Sequence, residues 1–272
     1  MLMLKVIFLY LCRVKLNQLK KIKVGIVNYL NTKPLLYGIE HSSIFSAIEP
    51  VPDYPANIAK MLLEDTIDMG LVPVAVIPRM KEYYLNTNYC IGCTSPVASV
   101  CLFSDVPVHE ITEVLLDYQS RTSVTLARIL MRDYWKIDPE ITDTKDDYRS
   151  RISGTTAGVV IGDRALEQRK RSRYIYDLGE AWIAHTGLPF VFAAWVSNKK
   201  LPEDFVIAFD EANRSGLQHI TEVVEENPYD VYDLHEYYTK NISYELDEQK
   251  KKGLEKFLSL IGTLAPPVAK KQ

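Results

Sequence analysis

A chain of 272 residues, 47% hydrophobic and 25% charged, has an ordinary globular composition and length for one large or two modest domains with a sizeable core. A formal net charge of −3 argues against a nucleic-acid partner, which normally calls for a strong basic excess. The four cysteines, Cys12, Cys90, Cys93 and Cys101, sit in apolar or strand-like contexts, and Cys90-x-x-Cys93 has no second pair and no histidine at metal spacing, so they read as buried thiols in a reducing compartment.

The chain opens with MLMLKVIFLYLC, an apolar run too short to span a bilayer. It lacks a small-x-small cleavage site, so residues 1–21 read as an extension outside the fold, with a secretory leader as the alternative. No stable membrane association is expected, and the expected compartment is the cytoplasm. IKVGIVN (22–28) reads as a strand. Thr32 can cap a helix that carries Pro34 in its first turn. A strand near 44–50, a helix opened by Asp53-Tyr54-Pro55, a buried strand at 67–72 and a short helical turn at 74–80 follow.

In CIGCTSPVASVCLFS (90–104), apolar strands flank a polar turn. Residues 114–118 read as a strand, and SRTSVTLARILMRDYW (120–135) as a loop opening an amphipathic helix. A strand at 157–161 runs into Gly162-Asp163 and a helix. Strands at 174–178 and 190–196 bracket a loop with a short helix, and helices dominate from Asp204 onward. Alternating strands and helices predict an α/β protein with mostly parallel sheets. SVCLFS (99–104) and FVFAAWV (190–196) predict two crossing hinge strands between two lobes. One lobe is discontinuous, 22–100 plus 197–265, and the other is 101–196. A ligand in such a fold sits in the cleft, against strand C-termini and helix N-termini.

Three turns share a design in which an apolar strand ends in small hydroxyl or amide residues: Asn28–Thr32, Thr94–Ser99 and Ser120–Ser123. Their side chains and the unpaired N–H groups of helix N-termini suit a carboxylate-bearing ligand. Lys33 and Arg121 could add formal charge. At each position a plainer role stays open: helix caps for Ser120, Thr122, Ser123 and Asp163, a turn for Asn31 and Thr32, a core hydroxyl for Ser99, a surface role for Arg121, a structural role for His185. Nucleophile elbow, phosphate loop, zinc and dinucleotide motifs are all missing, so no metal and no cofactor is expected. From the residues alone, the chain is a two-lobed α/β protein that binds a small anion.

The strings VGIVNYLNTKPLLYGIE, CIGCTSPVASVCLFS, DYQSRTSVTLARILM, AGVVIGDRAL and YDLGEAWIAHTGLPFVFAAWV follow one another in the order and spacing of one family. Over residues 22–262 the chain resembles the chorismate dehydratases of the futalosine route to menaquinone. That resemblance implies a fold like that of type II periplasmic solute-binding proteins. It also implies the loss of water from chorismate to give 3-[(1-carboxyvinyl)oxy]benzoate, catalysed by a carbon–oxygen lyase. Asn31 and Ser99 are then the expected catalytic residues, and Thr32, Ser95, Ser120, Arg121, Thr122, Ser123 and Asp163 the expected substrate-binding ones. Chorismate is the expected partner; oligomeric state stays open. The alternative is a non-catalytic solute-binding protein for a small anionic metabolite.

Overall fold

The computed structural model describes residues 21–264; the expectations for residues 1–20, Cys12 among them, lie outside these. The first part of the chain alternates as expected. Strand β1 (Ile22–Ile26) leads through a turn at Leu30–Thr32 into helix α1 (Lys33–Glu40). Pro34 occupies the helix's first turn, where its missing N–H costs nothing. Strand β2 (Ile48–Pro52), helix α2 (Pro55–Leu63), strand β3 (Met69–Pro73) and strand β4 (Tyr84–Cys93) follow. All five residues of β3 are buried, as expected for a continuous apolar run covered on both faces.

The chain then enters a second sheet with β5 (Val100–Ser104), β6 (Glu113–Leu116), helix α3 (Thr122–Leu130), β7 (Glu140–Asp143), β8 (Thr156–Ile161), helix α4 (Asp163–Gln168) and β9 (Tyr174–Asp177). Helix α5 (Leu178–Thr186) leads back to β10 (Phe190–Ser197). Asp177 caps α5, its carboxylate accepting from the N–H groups of Gly179 and Glu180, and Gly187 closes it at φ 71°, a left-handed conformation that glycine adopts without strain. Helices α6 (Glu203–Leu217) and α7 (Ile220–Glu226), a helical turn at Leu234–Glu236 continued as a π-turn (Tyr237–Asn241), strand β11 (Ser243–Glu245) and helix α8 (Glu248–Ile261) complete the described residues.

The strands form two sheets, ordered β11-β4-β10-β3-β1-β2 and β7-β6-β8-β5-β9. Both are mixed rather than mostly parallel. β1 pairs in parallel with β2 and β3, and β6 with β7 and β8. β10 runs antiparallel to both β3 and β4, β11 to β4, and β5 to both β8 and β9. The two strands expected to hinge the lobes each stay within one sheet. β5 has both partners in the second sheet, and β10, expected in the intervening lobe, lies inside the first. The chain therefore crosses at residues 94–99 and again through α5. Strand–helix alternation could not reveal that β10 inserts between strands more than a hundred residues earlier.

One large apolar core runs through both sheets, and a smaller cluster around Phe103, Leu115, Tyr148 and Val160 lies in the second. T-shaped aromatic contacts join Trp182, Phe190 and Phe257, and Trp195 packs edge-on against Phe209, each buried to 1% exposure or less. Trp195 also donates its indole N–H to Asn213 Oδ1 at 2.9 Å, which satisfies both polar groups where water cannot reach. Cys90, Cys93 and Cys101 are unpaired and buried. Among the described residues, no helix is long and apolar enough to cross a membrane.

Candidate functional site

A cleft, open on one side to solvent, lies where the ends of β1, β3 and β8 meet the start of α3. Its walls are mostly apolar: Val27, Leu71, Ile91, Val97, Val100, Ile161 and Phe192. Polar groups come from Tyr29, Asn31 and Thr32 on one side and Ser120, Thr122 and Ser123 on the other. Not one lining residue carries a formal charge. An anion here would be held by dipoles and hydrogen-bond donors, which act strongly in a low-dielectric pocket.

Two of the three polar turns thus converge, and each is built locally. At Thr32 the hydroxyl is turned back on the chain, 2.5 Å from Val27 O and 2.8 Å from Tyr29 O. Thr32 therefore shapes the turn and does not cap α1, which has no side-chain cap bond. Asn31 is fixed through its backbone: Tyr244, from β11, donates its hydroxyl to Asn31 O at 3.0 Å. Among the described residues the Asn31 side-chain amide has no hydrogen-bond partner, and it lines the cleft. On the far wall, Ser120 Oγ accepts from Ser123 N at 3.1 Å, capping the first turn of α3, and Thr122 Oγ1 accepts from Ala75 N at 3.2 Å. Ser123 is 4% exposed, and its hydroxyl makes no hydrogen bond among the described residues.

Other expected residues lie elsewhere. Ser99 is fully buried behind the wall; Tyr237 donates its hydroxyl to Ser99 Oγ at 2.6 Å. Its neighbours Val97 and Val100 face the cleft instead. Ser95 donates to Lys240 O at 2.9 Å, outside the cleft. Arg121 is exposed and borders a separate surface depression with Thr125, Arg128 and Arg132, because those four positions form the outward face of the helix. Lys33 borders a third depression, and His185 is exposed beside Tyr134. Asp163 sits just beyond lining Gly162 and joins the lobes: its Oδ1 accepts from Leu30 N at 3.1 Å. Burial raises its pKa above the ordinary aspartate value, with the Leu30 N–H pulling the other way.

A polar chain that the sequence did not single out supports the same wall. Tyr29 donates its hydroxyl to Gln119 Oε1 at 2.5 Å. Arg164 Nη2 donates to that same oxygen at 2.9 Å and to Asp117 Oδ2 at 2.7 Å. The Asp117 side chain is wholly buried; burial pushes its pKa up, and the adjacent guanidinium opposes the rise. Burial likewise raises the Tyr29 phenol well above its ordinary value, so it stays protonated at neutral pH. The glycine at 162 adopts φ 64° and ψ −148°, a region essentially reserved for glycine, and the Tyr29 ring lies against it. Tyr29 lies inside a string that reads as a turn and Gln119 just after the strand expected at 114–118, and nothing in the local pattern marks them as partners 90 residues apart. No group of three or more His, Cys, Asp or Glu side chains among the described residues is placed to hold a metal.

A family model described as menaquinone biosynthesis matches residues 22–262. The chain is 25% identical over 268 residues to a chorismate dehydratase of Thermus thermophilus, covering 90% of this chain and 97% of that one. It is 25% identical over 243 residues to a chorismate dehydratase of Campylobacter jejuni, covering 86% and 95%. Among solved structures, a Candida albicans protein described as having the generic periplasmic binding protein fold superposes with a TM-score of 0.61 at 15% identity, covering 91% of this chain and 92% of that one. The two-lobed α/β architecture is therefore of the periplasmic-binding-protein type.

Proposed function

The chain belongs to the menaquinone biosynthesis family, and from that membership and the cleft we propose that it is a chorismate dehydratase, a carbon–oxygen lyase acting in the futalosine pathway. The reaction removes the C3 proton and the C4 hydroxyl of chorismate as water and leaves 3-[(1-carboxyvinyl)oxy]benzoate. The observation that carries the reading is the uncharged cleft: a free amide at Asn31 faces the hydroxyls of Ser120, Thr122 and Ser123, which keep hydrogens to give, across apolar walls. The walls suit the ring, and the hydroxyls suit a carboxylate.

Aromatisation supplies the driving force, so the protein's task is to hold one conformer and stabilise charge. The C3 proton is acidified through conjugation to the ring carboxylate. Donors from the start of α3, Thr122 and Ser123 above all, stabilise the negative charge that develops on that carboxylate. No lining side chain is basic, and an amide is not a base. The proton therefore goes to the substrate's own enolpyruvyl carboxylate. The C3–H bond breaks, the ring π-system takes the electron pair, and the C4–O bond then breaks as the proton held on the enolpyruvyl carboxyl passes to the departing oxygen, which leaves as water and restores the carboxylate. Asn31 orients the enolpyruvyl group or the leaving hydroxyl. Ser99 acts from behind the wall by anchoring Tyr237, and Asp163 acts by tying Leu30 to α4.

Purified protein incubated with chorismate should accumulate the substituted benzoate, followed by its aromatic absorbance and by mass. Asn31→Ala should lose about a hundred-fold or more in turnover, the scale of one preorganised donor. A merely binding protein of the same fold would leave chorismate intact, since fold does not dictate function.

A further inference from the structure

The polar groups on the two sides of the cleft differ in which hydrogen atoms they have left to give. On the α3 side, the hydroxyls of Ser120 and Thr122 accept backbone N–H bonds and keep their own hydrogens free. The Ser123 hydroxyl has no partner among the described residues. That wall can donate three times. On the β1 side, the Thr32 hydroxyl hydrogen is committed to the carbonyls of Val27 and Tyr29.

Tyr29 is committed too, and its direction is forced. Arg164 Nη2 can only donate, and it lies 2.9 Å from the Gln119 atom that Tyr29 contacts at 2.5 Å. That atom must therefore be the amide oxygen. In that orientation Gln119 Nε2 donates to Tyr118 Oη at 3.1 Å. Tyr29 thus spends its one hydrogen on Gln119. Toward any ligand, its oxygen can only accept.

We propose that Tyr29 is a specificity-determining residue that takes the hydroxyl hydrogen of the substrate. This rests on the chorismate reading. Chorismate's two carboxylates and its ether oxygen are acceptors only; its ring hydroxyl is its single donor. Of chorismate's polar groups, only that one can give the Tyr29 oxygen a hydrogen, so it lies toward Tyr29; a carboxylate lies toward Ser120, Thr122 and Ser123, and the Asn31 amide remains for the enolpyruvyl group. A carboxylate placed against the Tyr29 oxygen would set lone pair against lone pair, an unpaired arrangement that costs affinity. Gln119 and Arg164 are positioning residues for this contact. The aromatic product has lost the hydroxyl and cannot satisfy Tyr29, which favours its release.

The test compares substrate and product in Tyr29→Phe, which keeps the ring in the wall and removes only the oxygen. KM for chorismate should rise about five-fold or more, the loss of one neutral hydrogen bond. The Kd for 3-[(1-carboxyvinyl)oxy]benzoate, read by calorimetry, should move by less than about two-fold, because no bond to it is lost. Parallel weakening of both ligands would make Tyr29 a merely structural strut between the lobes, and an unchanged KM would remove the contact outright; either overturns the assignment while leaving the function intact. Wild-type protein that neither turns over nor binds chorismate would overturn the function and this assignment together.

Discussion

Asn31, Thr122 and Ser123 were legible because each belongs to a short polar string after an apolar strand. Ser99 belongs to such a string as well, yet its hydroxyl is claimed by Tyr237, 138 residues away, and no local pattern carries that information. Arg121 was legible in the opposite sense. Spacing from Arg121 to Thr125, Arg128 and Arg132 marks a polar face, while Thr122, Leu126 and Ile129 turn inward. Tyr29 escaped notice because a tyrosine in a turn is ordinary until its hydroxyl is seen to meet an oriented amide. The cysteines behave as their apolar contexts imply. Burial pushes the Cys90 thiol up to about 12, and burial also raises Cys93 and Cys101. Since the thiolate is the nucleophile, native protein treated with iodoacetamide near pH 8 should show Cys90, Cys93 and Cys101 unmodified by peptide mass mapping. All three should label after unfolding. Labelling of any of them in the native protein would contradict the burial.

At the scale of elements, the turn carrying Asn31 is aimed by α1, and α1 is seated on α6 through two glycines. A Cβ on Gly38 would lie 1.9 Å from Ala212 O and 2.5 Å from Gly216 N; one on Gly216 would lie 1.9 Å from Pro34 O. Replacing a helical glycine by alanine normally gains about 1 kcal/mol from propensity. Here the colliding atoms are backbone and cannot rotate away, and overpacking of this kind costs about 1–3 kcal/mol or more. The clash decides the sign. Gly38→Ala should lower the urea-unfolding free energy by about 2 kcal/mol, whereas a gain would show that α1 slides freely on α6. Secondary structure in this region follows from apolar spacing; the glycine seat does not, because it depends on which helix 170 or so residues later lies against α1. Strand β11 is three residues long and was not legible at all, although it supplies the Tyr244 that fixes Asn31.

For the whole molecule, the two-lobed plan was readable from strand–helix alternation, and the mixed sheets were not, since β10 inserts from far along the chain. The lobes meet through bonds that ring the cleft: Tyr29 to Gln119, Leu30 N to Asp163, and Ala75 N to Thr122. Asp163 gives this closure a pH dependence. Its carboxyl is raised from 3.8 by burial, so the native state holds that proton more tightly than the unfolded chain. Its contribution to stability is therefore fullest below the unfolded value and declines as pH rises through the folded one. Asp163→Asn keeps an acceptor for Leu30 N and removes the titration. Urea titrations from about pH 4 to pH 6, spanning the interval above an ordinary aspartate, should show a shallower loss of stability with rising pH in the variant. An identical slope would mean that Asp163 titrates as it does in the unfolded chain.

On the proposed reading, an uncharged cleft, with hydrogen-bond donors at one end and a free amide at the other, lets a bound dianion aromatise itself. The most direct measurement follows chorismate by proton NMR with wild-type and Asn31→Ala protein side by side. The wild type should convert the ring vinyl signals to those of a meta-substituted benzoate with release of one water per turnover, and Asn31→Ala should be slower by about a hundred-fold or more. Unchanged chorismate with the wild type, or near-equal rates for the two proteins, would contradict the account.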